Sequence, residues 1–108
     1  MIRAEEKLRD MGFKVDCQHY RRYFRVNTKG QVQEFFSPNR LSAPMSTHGG
    51  YTKVTIRRGK EVYSGTARCM EEDRFIRQEG YDRAFERAVR ELCWSYIDNA
   101  SQGNLSSM

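Results

Sequence analysis

The fold is decided by residues 81–97, which read YDRAFERAVRELCWSYI. The apolar positions in this stretch recur at alternating spacings of three and one, which is the pattern of a helix with one buried face. These positions are Tyr81, Ala84, Phe85, Ala88, Val89, Leu92, Cys93, Tyr96 and Ile97. Acid–base pairs four residues apart, such as Glu86 with Arg90, lie on the opposite side. The sequence therefore predicts a C-terminal amphipathic helix that packs on the rest of the chain.

Upstream of this helix, four segments have the composition or the alternating pattern of β-strands. These segments are 19–26, 31–37, 51–57 and 61–69. In the third segment Thr52, Val54 and Ile56 face one way, and aromatic or basic residues face the other. Residues 38–50 contain both prolines and form a long connection, which is typical either of a functional loop or of flexible slack. We expect an antiparallel sheet of three or four strands.

The loop between the last two strands determines which of their side chains share a face. A three-residue loop with a left-handed Gly59 places Val62 on the side of Val54, so that apolar side chains meet. A two-residue turn at 58–59 mixes apolar and charged side chains instead. We therefore predict the three-residue loop, which places Tyr63 on the basic side of the sheet.

The chain begins with a predicted helix over residues 2–11, because its apolar residues have helical spacing and Gly12 follows as a C-cap. Residues 70–79 are expected to form a short helix or helical loop that closes at Gly80. This element order defines an α+β, two-layer domain with an N-terminal helix, a three- or four-stranded antiparallel sheet and a C-terminal amphipathic helix. We expect one domain over residues 1–100 and a polar tail, 101–108, that frays.

The composition fits a small globular domain. The 108 residues are 38% apolar, which suffices for one core, and no apolar run approaches the length of a transmembrane helix. Residues 1–7 contain charges where a secretory signal requires an apolar run. The sequence therefore predicts an intracellular, cytoplasmic protein without membrane contact.

The cysteines do not form a disulfide or metal pattern. Cys17, Cys69 and Cys93 are odd in number and widely spaced, and no Cys-x-x-Cys is present. We expect buried thiols, no metal and no cofactor; a zinc site made by the three cysteines with His19 is the alternative.

Enzyme motifs are missing as well. The sequence has no phosphate-binding loop, no dinucleotide fingerprint and no His-Glu-x-x-His. A Cys–His couple lacks a third orienting group in the sequence, so we expect no catalytic residues and no enzyme activity.

Positive charge is concentrated in the middle of the chain. Residues 17–60 contain nine basic side chains against one acidic one, although the whole chain has a net charge of +5. On the predicted strands, basic residues alternate with tyrosines, a combination that can neutralise phosphates and stack on bases. The predicted binding residues on this sheet face are Arg21, Tyr23, Arg25, Tyr51, Lys53, Arg57 and Tyr63. The alternative is that a helix covers this face and the tyrosines are half-buried.

Trp94 is an eighth candidate binding residue. It falls on the charged side of the C-terminal helix, and tryptophan beside arginine is typical of protein-binding hot spots. The alternative is that it packs under the tail or the first helix.

Residues 67–88 read ARCMEEDRFIRQEGYDRAFERA and resemble an element found in many small phage-encoded proteins. There a strand ends in Ala-x-Cys, then Asp-x-Phe-x-Arg, a glycine and a helix with Ala and Arg-Ala follow. In this chain Tyr81 stands where that element has a basic residue after the glycine. The resemblance implies an origin in a bacteriophage or another mobile element, and it assigns no catalytic residue.

Two functions from different classes follow. The first, which we favour because it accounts for Trp94 and the long loop, is a non-enzymatic binding protein that inhibits or modulates a host machine, as an anti-defence, anti-CRISPR-like protein does. The second is a nucleic-acid-binding accessory protein that uses the tyrosine–arginine sheet face. The partner is then a host protein, a protein–nucleic-acid complex or nucleic acid itself, and a homo-oligomer is a further option. A metal-dependent nuclease is a distant third.

Overall fold

The computed structural model describes residues 2–106, and side chains over 4–97. Its elements are α1 (Ile2–Asp10), β1 (Lys14–Val26), β2 (Val32–Ser37), β3 (Tyr51–Arg58), β4 (Glu61–Arg68) and α2 (Arg77–Ser106). The predicted α+β class is therefore confirmed, with an N-terminal helix, a four-stranded antiparallel sheet and a C-terminal helix. No helix in this part of the chain combines the length and the apolar character needed to cross a membrane.

The sheet has the strand order β2-β1-β3-β4, and every neighbouring pair is antiparallel. The long strand β1 joins two hairpins, because its first half, up to Tyr20, pairs with β3 and its second half, from Arg21, pairs with β2. Residues 38–50 return the chain from β2 to the far side of β1, where Met45 makes an isolated bridge to Tyr23. The first half of β1 therefore has β3 as its partner, whereas the second half has β2 on one edge and the long loop on the other.

The register of the β3–β4 hairpin corrects the sequence prediction. Arg58 lies opposite Glu61, so the turn has two residues, and Gly59 adopts a left-handed φ of 58°. The predicted three-residue loop is wrong. The turn has two residues, but these are 59 and 60 and not the 58 and 59 of the two-residue alternative. Tyr63 consequently lies opposite Ile56 on the buried face, and Val62 points outward.

Helix α2 crosses β4 at a point where only small residues fit. A Cβ added to Gly65 would lie 2.5 Å from the backbone nitrogen of Ala88 and would also overlap the carbonyl of Ala84. Both alanines are fully buried. The helix therefore lies directly on the strand backbone at this crossing.

The short helix or helical loop expected over 70–79 is not formed as one element: residues 77–79 belong to α2, and Gly80 does not close a helix. Residues 69–76 are an irregular turn, held because Phe75 donates its backbone N–H to Thr47 and Gly49 donates to Asp73. These bonds pair the segment with the long loop and leave helix α2 to begin at Arg77. Gly80 lies inside α2, where the absence of a side chain lets the helix approach Thr52.

The core lies between the sheet and both helices. Leu8 of α1 and Phe13, which follows the helix, meet the inward residues of β3 and β4 and the buried stripe of α2. Since both helices pack on the same side, the other side of the sheet is uncovered in the described part of the chain. We call that side the open face: it consists of the even-numbered residues of β1, β2 and β4 and the odd-numbered residues of β3.

Helix α2 continues beyond the sheet. Its 30 residues span about 45 Å, whereas the eight residues of β3 or β4 span about 26 Å. Leu92 is the last buried residue of the described stripe, and Ile97 at its end is exposed. The tail predicted to fray continues α2 as far as Ser106, and its side chains and residues 107–108 lie outside the described residues.

Candidate functional site

The seven predicted binding residues on the strands do not share one face. Tyr20 lies opposite Tyr51 and Gln18 lies opposite Lys53, so the even-numbered residues of β1 point to the open face. Alternation then sends the odd-numbered residues of β1 to the helix side. The prediction that these residues form a single binding surface is therefore wrong. Tyr51, Lys53 and Arg57 lie on the open face, whereas Arg21, Tyr23 and Arg25 lie on the opposite face.

Two of the predicted tyrosines are buried. The Tyr23 hydroxyl donates to the backbone carbonyl of Asn39 and fixes the start of the long loop. The Tyr63 hydroxyl donates to Glu61, which also accepts from Tyr96 and Arg58. The hydrogen bonds from Tyr96 and Arg58 hold the pKa of the Glu61 carboxyl below its usual value. Neither Tyr23 nor Tyr63 presents a free ring for stacking.

The centre of the open face is an aromatic cluster of Tyr20, Phe36 and Tyr51. The rings of Tyr20 and Tyr51 stack with centroids 4.5 Å apart and planes 11° apart, and the Phe36 ring lies 5.7 Å from Tyr51. Phe36 is 38% exposed, and both tyrosines are half-buried. Three strands therefore contribute one ring each to a platform that solvent reaches.

Basic side chains surround this aromatic cluster. Arg22 pairs with Glu34 at 2.6 Å, and Arg57 lies 3.6 Å from Asp16 in a loose, exposed pair. Lys14, Lys53 and Arg68 point to the same face and are in no ion pair among the described side chains. Carboxylates lie in the neighbourhood of two of them, because Arg68 lines a pocket with Glu71 and Glu72, and Lys53 lines one with Asp16. The open face therefore offers stacking surface together with basic side chains that are free of direct ion pairs.

Sequence reasoning missed Tyr20, Phe36 and Arg68. Tyr20 and Phe36 share strand faces with other apolar residues and were not assigned to the basic face. Arg68 lies opposite Tyr51 in the register, and only that pairing assigns Arg68 to the open face. A usable signal was present in β1 and β2, because aromatic residues occur at both odd and even positions and some of them must face outward.

A cysteine–histidine pair lies at the edge of the sheet. Cys17 Sγ is 3.6 Å from His19 Nε2, and His19 Nδ1 is 2.9 Å from the hydroxyl of Thr52. Burial and the charge of Glu5 raise the pKa of the Cys17 thiol, and burial with Arg77 and Arg21 lowers the pKa of His19. Both shifts favour a neutral thiol and a neutral imidazole. An activated cysteine needs the opposite, a thiolate beside an imidazolium.

The cysteines differ from the prediction of buried thiols. Cys17 and Cys93 are exposed, and Cys69 is half-buried, with its thiol near the backbone carbonyls of the turn 69–76. Within the described residues, no three His, Cys, Asp or Glu side chains lie close enough to hold a metal ion.

Trp94 lies on an exposed side of α2. Its side chain is 60% exposed, and Ile97, one helical turn further, is 54% exposed. Residues three apart lie on the same side of a helix. The two side chains therefore form a small apolar patch that no described residue covers.

Comparison with known proteins gave no match to a protein-family model, to a curated protein sequence or to a solved structure. The class is thus defined by the fold and the site alone: an α+β domain that packs both helices on one side of its sheet and leaves an aromatic, basic face on the other.

Proposed function

We propose that the protein binds single-stranded nucleic acid on its open face. The observation that supports this most strongly is the Tyr20–Phe36–Tyr51 cluster, which lies on an uncovered sheet face beside the unpaired charges of Lys53 and Arg68. Stacking of a base on an aromatic side chain contributes about 1–3 kcal/mol. Phosphate contacts to lysine and arginine add a term that depends on salt.

A single strand fits this surface better than a duplex does. In a duplex the faces of the bases are covered by their neighbours, so aromatic rings on a sheet cannot reach them. In a single strand the bases can turn onto the rings while the phosphates follow the basic rim. The pairs Arg22–Glu34 and Arg57–Asp16 hold two carboxylates on the same face, which limits its excess charge. Binding by stacking therefore matters more here than binding by charge alone.

The first test is the binding of a short oligothymidylate with a 5′-hydroxyl end, followed by fluorescence anisotropy over a range of salt concentrations. If Lys14, Lys53 and Arg68 each neutralise one phosphate, log K should fall with log salt at a slope of about −2, or about −0.7 for each contact on a single strand. The double variant Lys53→Glu/Arg68→Glu should bind at least about tenfold more weakly, with a flatter slope.

The matched control is Lys29→Glu/Lys60→Glu, which makes the same change in net charge at two turns away from the aromatic cluster. It should retain most of the affinity. Equal losses in the two double variants would mean that binding depends on overall charge and not on the open face, and would overturn the proposal.

A second function, inhibition or modulation of a host machine by protein–protein contact, is supported by the exposed Trp94–Ile97 patch. If this patch docks on a host protein, Trp94→Ala should cost about 2 kcal/mol or more of binding energy, while the free energy of unfolding changes little. The anti-defence role of this second proposal rests on the resemblance of residues 67–88 to phage-encoded proteins.

The test of this second function is affinity purification from a bacterial host with nuclease treatment. A host protein that the wild type retains and Trp94→Ala loses would support docking through α2. Retention of the same protein by Trp94→Ala would exclude that patch as the contact.

A further inference from the structure

We infer that the protein has a second anion site, a groove on the helix side of the sheet that holds a phosphate monoester attached to an organic group. The groove lies between β1, the long loop and the first turn of α2, and its volume is about 570 Å³. Arg21, Arg40 and Arg77 line it, one from each of these three elements, together with His19 and Asn39. No aspartate or glutamate is among the lining residues of the described chain. The groove lies mainly on the other side of β1 from the open face, and Gln18 is the only groove residue of β1 that belongs to the open face.

The three guanidinium groups are not compensated. Five other arginines of the described chain lie within 4.0 Å of a carboxylate, and several, such as Arg68, do not. Arg21, Arg40 and Arg77 make no such pair among the described side chains. The groove differs from the rest of the surface because three arginines line it and no carboxylate of the described chain does. Three positive charges around one groove repel one another, and an anion bound there would relieve that repulsion. Arginine forks also match the oxygens of a phosphate in geometry.

Arg21 is held in position before any ligand arrives. Its guanidinium lies over the Phe75 ring, 4.6 Å from the centroid, and donates a 3.3 Å hydrogen bond to the carbonyl of Ser46. Its Nε is buried and has no acceptor among the described residues. A buried donor without a partner is rare in folded proteins, and Arg21 is held by packing on Phe75 and by the Ser46 carbonyl, not by a carboxylate.

His19 lines the same groove. Its pKa is lowered by burial first and then by the charges of Arg77 and Arg21. Its hydrogen bonds to Cys17 and Thr52 occupy both ring nitrogens. His19 therefore forms a neutral wall of the groove, and the arginines supply the charge.

The remainder of the groove is suited to an organic group. Pro38, Leu41 and Met45 line the side formed by the long loop, and Leu41 and Met45 are exposed. The volume exceeds what a bare phosphate ion needs. The ligand class is therefore a phosphorylated organic molecule, with either a free nucleotide or the 5′-phosphate end of a nucleic acid strand as its source.

The test compares uridine 5′-monophosphate with uridine by calorimetry, on the wild type and on Arg40→Gln/Arg77→Gln. Both substituted residues are exposed, so the double variant should fold. We expect the wild type to bind the monophosphate at least about tenfold more tightly than the nucleoside, and the double variant to lose this preference. The control Lys29→Gln/Lys60→Gln removes two charges outside the groove and should keep the preference for the monophosphate.

Two results would overturn the site: a preference for the monophosphate that survives in Arg40→Gln/Arg77→Gln, or no binding of either the monophosphate or a 5′-phosphorylated oligothymidylate. The oligonucleotide shows whether the bound phosphate comes from a free nucleotide or from the end of a strand. Tighter binding of the 5′-phosphorylated strand than of its 5′-hydroxyl form, lost in the double variant, identifies a strand end; equal binding of the two strands identifies a free nucleotide. The 5′-hydroxyl strand tests the open face by itself, so failure of one site is distinguishable from failure of the other.

Discussion

Replacing Phe85 with alanine should lower the free energy of unfolding by about 3–5 kcal/mol. Phe85 is among the most buried large side chains, and it stacks on Tyr81 with ring centroids 5.6 Å apart. It lies in the cluster where α1, α2 and the inner face of the sheet meet. Removal of the ring leaves a cavity there that the surrounding strands and helices cannot fill. A loss of this size is a large fraction of the stability of an ordinary domain.

Urea denaturation followed by circular dichroism measures this loss. The matched control is Phe36→Ala on the open face, where the ring is partly exposed and no helix packs on it; it should cost less than about 1.5 kcal/mol. A loss below about 1 kcal/mol for Phe85→Ala would show that α2 is not packed on the sheet as described.

Replacing Gly65 with alanine should destabilise the protein by about 3 kcal/mol, at the upper end of the usual cost of overpacking. The added methyl group would meet backbone atoms of Ala84 and Ala88, and not the movable end of a side chain. Helix α2 would have to move away from β4 over its whole contact, which loosens the core on both sides of the crossing.

The neighbouring Thr66→Ala is the control, because Thr66 points to the open face and its truncation creates no cavity. Its effect should stay within about 0.5 kcal/mol, apart from a small change in strand propensity. Gly65→Ala with the stability of the wild type would place the helix crossing elsewhere.

The order of the elements and the buried stripe of α2 could be predicted because both follow from local periodicity. Phe85, Ala88 and Leu92 repeat with the helical period, and that pattern needs no knowledge of the rest of the chain. Thr52, Val54 and Ile56 were likewise assigned to one face by alternation, and all three are buried.

The faces of different strands could not be related in the same way. Alternation shows that Arg21 and Tyr23 share a side, but only the pairing of Tyr20 with Tyr51 shows that this side is not the side of Lys53. A shift of one residue exchanges the two faces of a strand. For the same reason a shift in the turn at Gly59 moved Tyr63 from the basic side to the core.

The groove could not be predicted from the sequence, because the residues that line it are far apart along the chain. Arg40 and Arg77 are far apart in the sequence and meet only because residues 69–76 pair with the long loop as irregular backbone. Gly80 was taken as a helix end, although its role is to admit the side chain of Thr52 against α2.

The most direct test of the central claim is a map of backbone amide shifts in ¹⁵N-labelled protein titrated with the 5′-hydroxyl oligothymidylate. Binding on the open face predicts that the largest shifts occur at Tyr20, Phe36, Tyr51 and Lys53 and in the strands beside them, with little change in the exposed part of α2. Shifts confined to the region of Trp94, or none at saturating oligonucleotide, would contradict it.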